Sequence, residues 1–248
     1  MKRNLCSTTA LFVFTMAAVA DESGEPRVIE ESFDGKADQQ WIVVREQKSH
    51  LSFEKSPGCL TLTTQRGTIH GDEKNDAFSE GTQAKNIHLL KDPMPADQDF
   101  VLTLKVRKFE PKLFYHQVAI IAYVDDDNYV KWSFEEKNQT PTGTQTVLVC
   151  EREKRPSHFL MTDIDVAGPF ALRLERFGSN WICSHSLDGE SFQVVGIQQW
   201  DLQSSSEKPM RLGFLAKNGG NPAADEIDVQ IDSVKLQLSP IEESTDAQ

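Results

Sequence analysis

The sequence predicts an all-β protein in which two antiparallel sheets pack face to face. Several short segments alternate apolar and polar residues with a period of two, as strands with one buried face do, most clearly at 100–107, 130–135 and 170–175. Turn-forming residues separate these segments at short intervals, and no window has the i, i+3, i+4, i+7 stripe of an amphipathic helix. These observations favour a sandwich or a barrel.

The individual strands and turns support antiparallel pairing. Residues 118–124 are apolar on both faces, so we expect this strand to lie centrally in a sheet. The turn Asp125-Asp126-Asp127-Asn128 connects it to the next strand, and Asp188-Gly189 is a strong hairpin signal further along. Near the C-terminus the alternation changes phase, which predicts a β-bulge at Asp232-Ser233. The polar segment 64–84 is expected to form a long surface loop.

The first 20 residues have the features of a secretory signal peptide. Lys2 and Arg3 precede an apolar stretch, and Ala18-Val19-Ala20 is a small-x-small cleavage site. We therefore expect a signal peptide at 1–20, a short acidic leader at 21–27, one domain at 28–239 and an acidic flexible tail at 240–248. The apolar stretch is shorter than the roughly 20 residues of a membrane span. The mature protein is therefore expected to be secreted or periplasmic, with no membrane span.

Composition limits the partners and the covalent chemistry. The 38 acidic residues outnumber the 26 lysines and arginines and give a net charge of −12, which disfavours nucleic acid and anionic lipid as partners. Signal-peptide cleavage would leave Cys59, Cys150 and Cys183. These three residues allow at most one disulfide; the alternative is three buried thiols that pack as small apolar side chains.

A set of turn and core motifs extends along the whole predicted domain. They are Glu31-Ser32-Phe33-Asp34-Gly35 followed by Trp41, Pro57-Gly58-Cys59-Leu60, the run 117–131, Leu172-Arg173-Leu174-Glu175, Ser186-Leu187-Asp188-Gly189, Gly213-Phe214-Leu215-Ala216 and Ile231-Asp232-Ser233-Val234. In these motifs the chain resembles the concanavalin A-like domains at the C-terminus of β-xylosidases and in related secreted bacterial proteins. The resemblance implies a single jelly-roll sandwich. It also implies a structural calcium ion between the first and last strands, at Asp34 and Asp232. We expect no other cofactor.

A set of polar and aromatic residues on two predicted strands is the candidate ligand site. Sugar binding uses flat aromatic rings together with planar polar groups. Tyr129, Lys131 and Glu135 share one side of their strand, and Arg173 and Glu175 come from another strand. We expect these five residues to form a face that binds a polysaccharide or a glycoside. The alternative is that each is an ordinary solvated strand residue.

Three functional interpretations follow. The first is a secreted, non-catalytic carbohydrate-binding or recognition module. The second is a glycoside-processing hydrolase of a related sandwich family. Residues 226–232 resemble the paired-carboxylate strand of laminarinase-type glycosidases only at Glu226 and Asp228, because Gln230 or Ile231 stands where their second glutamate belongs. The third is a structural accessory domain that docks on another exported protein. No histidine metal motif, nucleophile elbow or phosphate-binding loop occurs, so the first interpretation leads.

Overall fold

The computed structural model describes residues 27–35, 40–69, 83–113, 115–137, 143–153, 155–219 and 224–239. The predicted signal peptide and the acidic tail lie outside these residues, as does all but the last residue of the predicted leader. The described residues form two antiparallel sheets and one short 3-10 turn, Lys48–His50. The prediction of an all-β, concanavalin A-like jelly-roll sandwich is confirmed.

Sheet A has eight strands in the order β13-β12-β11-β6-β15-β4-β3, with β1 paired to β15. Its strands are β1 (Arg27–Glu31), β3 (Leu51–Ser52), β4 (Leu60–Thr63), β6 (Phe100–Lys108), β11 (Phe170–Phe177), β12 (Asn180–Ser186), β13 (Gln193–Gln199) and β15 (Asp228–Leu238).

Sheet B has seven strands in the order β10-β9-β8-β7-β14-β5-β2. They are β2 (Trp41–Val44), β5 (Ile87–Leu90), β7 (Gln117–Asp125), β8 (Asn128–Glu136), β9 (Thr144–Arg152), β10 (Arg155–Asp163) and β14 (Arg211–Lys217). As expected from its apolar faces, β7 is the central strand of this sheet.

The main core fills the space between the sheets. Alternate residues of β6, such as Leu102 and Leu104, meet alternate residues of β8, such as Val130 and Trp132, and all four are buried. The Trp132 indole donates a hydrogen bond of 3.0 Å to the carbonyl of Ser184 in the opposite sheet. The buried indole N–H is therefore satisfied, and its hydrogen bond links the two layers.

The predicted local features are present. The aspartate turn connects β7 to β8. The segment around Asp188 connects β12 to β13 as a hairpin, and the Asp188 carboxylate accepts hydrogen bonds from the backbone N–H groups of Glu190 and Ser191. The register between β6 and β15 shifts near Asp232, which confirms the bulge. Two regular ladders of opposite phase are thereby joined within one strand.

The three predicted mature cysteines are buried and unpaired. Cys59, Cys150 and Cys183 are each fully inaccessible and carry free thiols. Burial raises the pKa of Cys150 to about 12. The buried-thiol alternative is therefore the one that the structure supports. In the described part of the chain, no helix has the length and hydropathy of a membrane span.

Candidate functional site

One side of β8 places charged side chains on the outside of the sandwich. Val130, Trp132 and Phe134 of this strand belong to the main core. The alternate residues therefore point away from sheet A, onto a surface called here the outer face of sheet B. They are Tyr129, Lys131, Ser133 and Glu135, and all four are buried.

The strand register brings polar residues of three strands together at one end of this face. Gln117 of β7, Glu135 of β8 and Gln145 of β9 are direct cross-strand neighbours. The Gln117 amide donates a hydrogen bond of 3.1 Å to Glu135 Oε2, and the Gln145 amide donates one of 3.2 Å to Oε1. Ser133 Oγ adds a hydrogen bond of 3.3 Å, so both carboxylate oxygens of Glu135 are held in place.

Lys131 extends this network toward the middle of the face. Its Nζ lies 2.5 Å from Gln117 Oε1, and in the described part of the chain this is its one hydrogen bond. Burial lowers the pKa of Lys131, while the carboxylates of Glu135 and Glu151 oppose that shift. An ammonium group has three N–H donors, so two of them remain available for a ligand.

Glu151 is a functional candidate that the sequence reading missed. It lies on β9 directly opposite Tyr129 and is 0% exposed. Neither of its carboxylate oxygens has a hydrogen-bond partner within the described residues. Burial raises the pKa of Glu151 to about 7, an increase that the neighbouring Tyr129 hydroxyl and Lys131 partly offset. The available sequence signal was its place in the outward-facing series of β9, at the end of the apolar run 147–150.

A second hydrophobic cluster surrounds these polar groups. It includes Tyr129, Ile121, Val149 and, from outside the sheet, Ile69 and Ala84. Residues 64–84 were expected to form a surface loop, but the described ends of this segment are buried, with Ile69 1% and Ala84 0% exposed. The expectation was wrong for these ends because they pack on the outer face of sheet B.

A dense ion-pair cluster anchors that packing at the β7–β8 turn. Both guanidinium Nη atoms of Arg45 bind Asp126, at 2.8 and 2.9 Å, and the Tyr123 hydroxyl and the Gln83 amide also donate to this carboxylate. Arg45 Nε donates a further hydrogen bond of 2.6 Å to the carbonyl of Ala84. The fork-like geometry of arginine suits this role, because it binds a carboxylate in two places and leaves Nε for another acceptor.

The other two predicted ligand residues lie on the opposite side of the molecule. Arg173 and Glu175 are on β11 in sheet A, where Leu172 and Leu174 point into the core. The Arg173 guanidinium lies 3.4 Å from the centroid of the Phe192 ring, and burial raises the pKa of Glu175. The five residues therefore do not form one face, because β8 and β11 belong to different sheets and their polar sides point in opposite directions.

The residues predicted to bind calcium already have partners. Asp232 Oδ1 accepts hydrogen bonds from Arg107 Nε at 3.1 Å and from Arg107 Nη2 at 2.5 Å. Asp34 accepts a hydrogen bond of 2.9 Å from Ser32 Oγ. Among the described residues, no three His, Cys, Asp or Glu side chains form a group that could hold a metal ion. A structural calcium ion does not fit here, because a side-chain cation already binds Asp232.

The aspartate turn has a structural role and borders a cavity at one end of the sandwich. Asp125 Oδ1 accepts a hydrogen bond of 3.1 Å from the backbone N–H of Asp127, and Asp125 Oδ2 accepts one of 2.7 Å from Lys208 Nζ. The cavity measures about 400 Å³ and is also lined by Arg152 and Glu153. The carboxylate of Asp125 is thus engaged in an Asx turn and an ion pair.

The two acidic residues on the outer face of sheet B, Glu135 and Glu151, do not form the carboxylate pair of a glycoside hydrolase. Hydrolysis requires two carboxyl groups about 5 to 9.5 Å apart. Glu135 and Glu151 are six residues apart along the β8–β9 ladder, or roughly 20 Å at 3.3 Å per residue. Asp228 accepts hydrogen bonds of 2.8 Å from both Lys55 and Thr63. Glu135 and Glu151 are therefore too far apart to act as such a pair.

Solved structures with the same fold include domains of carbohydrate-active enzymes. The GH43 protein BlXynB from Bacillus licheniformis matches with a TM-score of 0.69 and 19% identity, covering 84% of this chain and 39% of that one. A xylan β-1,4-xylosidase from Bacillus halodurans gives 0.65 and 15%, covering 84% and 38%. A β-1,3-1,4-glucanase (lichenase) from a mouse hindgut metagenome gives 0.53 and 13%, covering 86% and 99%. The chain thus spans about two fifths of the xylosidase-type proteins, and at these identities the likeness concerns the fold.

The family assignment rests on the sequence. No curated protein has significant sequence similarity to the chain. Residues 54–238 match the family model described as "Protein of unknown function (DUF1349)". The match begins just before β4 and ends at the last residue of β15, so it covers most of both sheets. The chain therefore belongs to the DUF1349 family.

Proposed function

We propose that this protein is an exported, non-catalytic carbohydrate-binding module whose ligand site is the outer face of sheet B. The observation that carries the proposal is unused hydrogen-bonding capacity on that face. Neither carboxylate oxygen of Glu151 makes a hydrogen bond in the described part of the chain, with the Tyr129 hydroxyl as a neighbouring donor, and Lys131 has two N–H donors without acceptors there. Buried polar groups of native proteins are normally satisfied, so groups that are not satisfied indicate an absent partner.

Sugar hydroxyls have the chemistry that these groups require. Each hydroxyl donates one hydrogen bond and accepts others, so neighbouring hydroxyls of one sugar can satisfy both a carboxylate and an ammonium group. Lys131 and Tyr129 are on the same side of β8, two residues apart, and Glu151 lies directly opposite Tyr129. The row that contains Lys131 continues through Val149 to His158 on β10, which is exposed, so the site borders solvent.

The structural neighbours support the same ligand class. They include a xylosidase and a β-glucanase, and the matched part of the xylosidase is about two fifths of that chain. The predicted signal peptide at 1–20 would deliver the protein to the compartment in which such polysaccharides occur. The proposal is therefore that the exported protein binds a glycan and does not cleave it.

Affinity electrophoresis with matched variants tests the site. The purified protein is run in native gels that contain xylan or mixed-linkage β-1,3-1,4-glucan. We expect retardation of the wild type, its loss in Lys131→Met, and unchanged retardation of Arg173→Met. Both variants remove one cation from an outer face, so charge alone does not distinguish them. Retardation that survives Lys131→Met and disappears in Arg173→Met would move the site to sheet A, and no retardation in either gel would contradict glycan binding.

A docking role is the second candidate. β13 is an edge strand of sheet A, its seven residues include no charge, and Val194 and Ile197 are 57% and 54% exposed. Natural edge strands usually carry charged side chains that prevent pairing with other proteins, so an uncharged edge favours a protein partner. A single stable partner that co-purifies with wild type, is lost on Ile197→Lys, and is accompanied by no glycan retardation would favour this function.

A further inference from the structure

Two bulged residues meet where β6 and β15 pair. The register between these strands shifts on both sides of Ile231, which leaves Arg107 of β6 and Asp232 of β15 without a cross-strand partner. The two extra residues bind each other instead, through Arg107 Nε and Nη2 to the same carboxylate oxygen. The phase change that is visible in the sequence of β15 is therefore tied to an ion pair.

The same guanidinium also binds a third segment of the chain. Nη1 donates a hydrogen bond of 3.1 Å to the carbonyl of Pro57, and Nη2 donates one of 2.7 Å to the carbonyl of Gly58. A Cβ at Gly58 would lie 3.7 Å from Arg107 Nη2 and 3.8 Å from Asp34 Oδ1, so the Arg107 guanidinium and the Asp34 carboxylate are both close to this glycine. Asp34 follows β1, which pairs with β15.

The oxygen atoms around Arg107 are of the kind that calcium selects. Calcium in proteins is bound by carboxylate and backbone carbonyl oxygens, often from several separate segments. Here two carbonyls and one carboxylate bind a single cationic group, with the carboxylate of Asp34 close by. The fixed planar guanidinium can satisfy several such acceptors at once.

We propose that the Arg107 guanidinium is the resident cation of this junction and takes the structural role that a metal ion would have there. It connects β6, β15 and the 57–58 turn, and it lies near Asp34, which follows β1. The wild-type fold is consequently independent of calcium. Removing the guanidinium leaves the oxygen atoms of Pro57, Gly58 and Asp232, with Asp34 nearby, without their cation, which converts the junction into a weak calcium site.

Thermal unfolding with and without calcium tests this inference. The melting temperature of wild type is expected to be the same in EDTA and in about 5 mM CaCl2. This concentration exceeds the dissociation constants of weak calcium sites. Arg107→Ala is expected to melt about 2–6 °C lower in EDTA, since Arg107 and Asp232 are 41% and 39% exposed and the ion pair is of moderate strength. CaCl2 should restore at least about 2 °C in this variant, with a Kd of about 10⁻⁴ to 10⁻³ M by titration calorimetry.

Control variants distinguish the loss of the Arg107 contacts from a general loss of positive charge. Lys105→Ala removes another exposed cation from the outward side of β6 and should leave both the melting temperature and the calcium response as in wild type. Asp232→Asn should lower the melting temperature as Arg107→Ala does but gain no calcium response, because the principal carboxylate is absent. A wild type that loses stability in EDTA would overturn the inference. So would an Arg107→Ala protein that behaves like Lys105→Ala or is indifferent to calcium; if Arg107→Ala does not fold, Asp232→Asn and the wild-type measurement decide the question.

Discussion

Glu151 gives the sharpest test of the candidate face, because an unpartnered buried acid must affect stability as a function of pH. Its pKa is about 7 in the folded protein against an ordinary value of 4.5. The folded state therefore holds this proton between about pH 4.5 and 7 while the unfolded state releases it, so stability falls as pH rises through that window. A difference of about 2.5 pKa units corresponds to about 3 kcal/mol, of which about 2–3 kcal/mol is lost between pH 5 and pH 8.

The variant Glu151→Gln keeps the shape of the side chain and removes its titration. Urea unfolding, followed by tryptophan fluorescence at pH 5 and at pH 8, gives the free energy of unfolding of each protein. The variant should gain about 2–3 kcal/mol relative to wild type between pH 5 and pH 8. Glu153→Gln, at an exposed position two residues further along, is the control and should show no such change. Equal pH dependence of wild type and Glu151→Gln would refute the argument.

Three further outcomes concern the core. Trp132→Ala should lower the free energy of unfolding by about 3–5 kcal/mol in urea titrations, since it removes a fully buried ring together with its hydrogen bond to the opposite sheet. Burial lowers the pKa of His88 to about 4, so wild type should lose up to about 3 kcal/mol relative to His88→Gln as pH falls from 6.5 to 4 in the same measurement. Cys150, whose pKa is about 12, should react with a thiol reagent only after denaturation, in an absorbance assay of the native and the unfolded protein.

Local patterns in the sequence were sufficient to predict most of the fold. The period of two identified the strands, and the Asp188 turn predicted the β12–β13 hairpin because its carboxylate caps the turn locally. The phase change near Asp232 predicted the bulge. Each of these features depends on residues close together in the chain, so a single sequence contains the required information.

The candidate site depended on information that alternation does not contain. A period of two shows that Lys131 and Arg173 each point away from the core, but not that their strands belong to different sheets. The sequence also could not predict the partner of Asp232, because Arg107 is 125 residues away in the chain. Ile69 is buried against the outer face of sheet B, and the Arg45–Asp126 ion pair binds Gln83 and Ala84 at the other described end of its segment; composition does not reveal these contacts.

The most direct measurement is the carboxyl ¹³C NMR titration of Glu151 with and without the polysaccharide fragment that best retards the protein in gels. Glu151→Gln identifies the resonance. Without sugar the resonance should titrate near pH 7, and bound hydroxyl groups that donate to the carboxylate should move this midpoint to lower pH. A midpoint near the ordinary value of a glutamate in the free protein, or one that the sugar leaves unchanged, would contradict the assignment of this face as the ligand site.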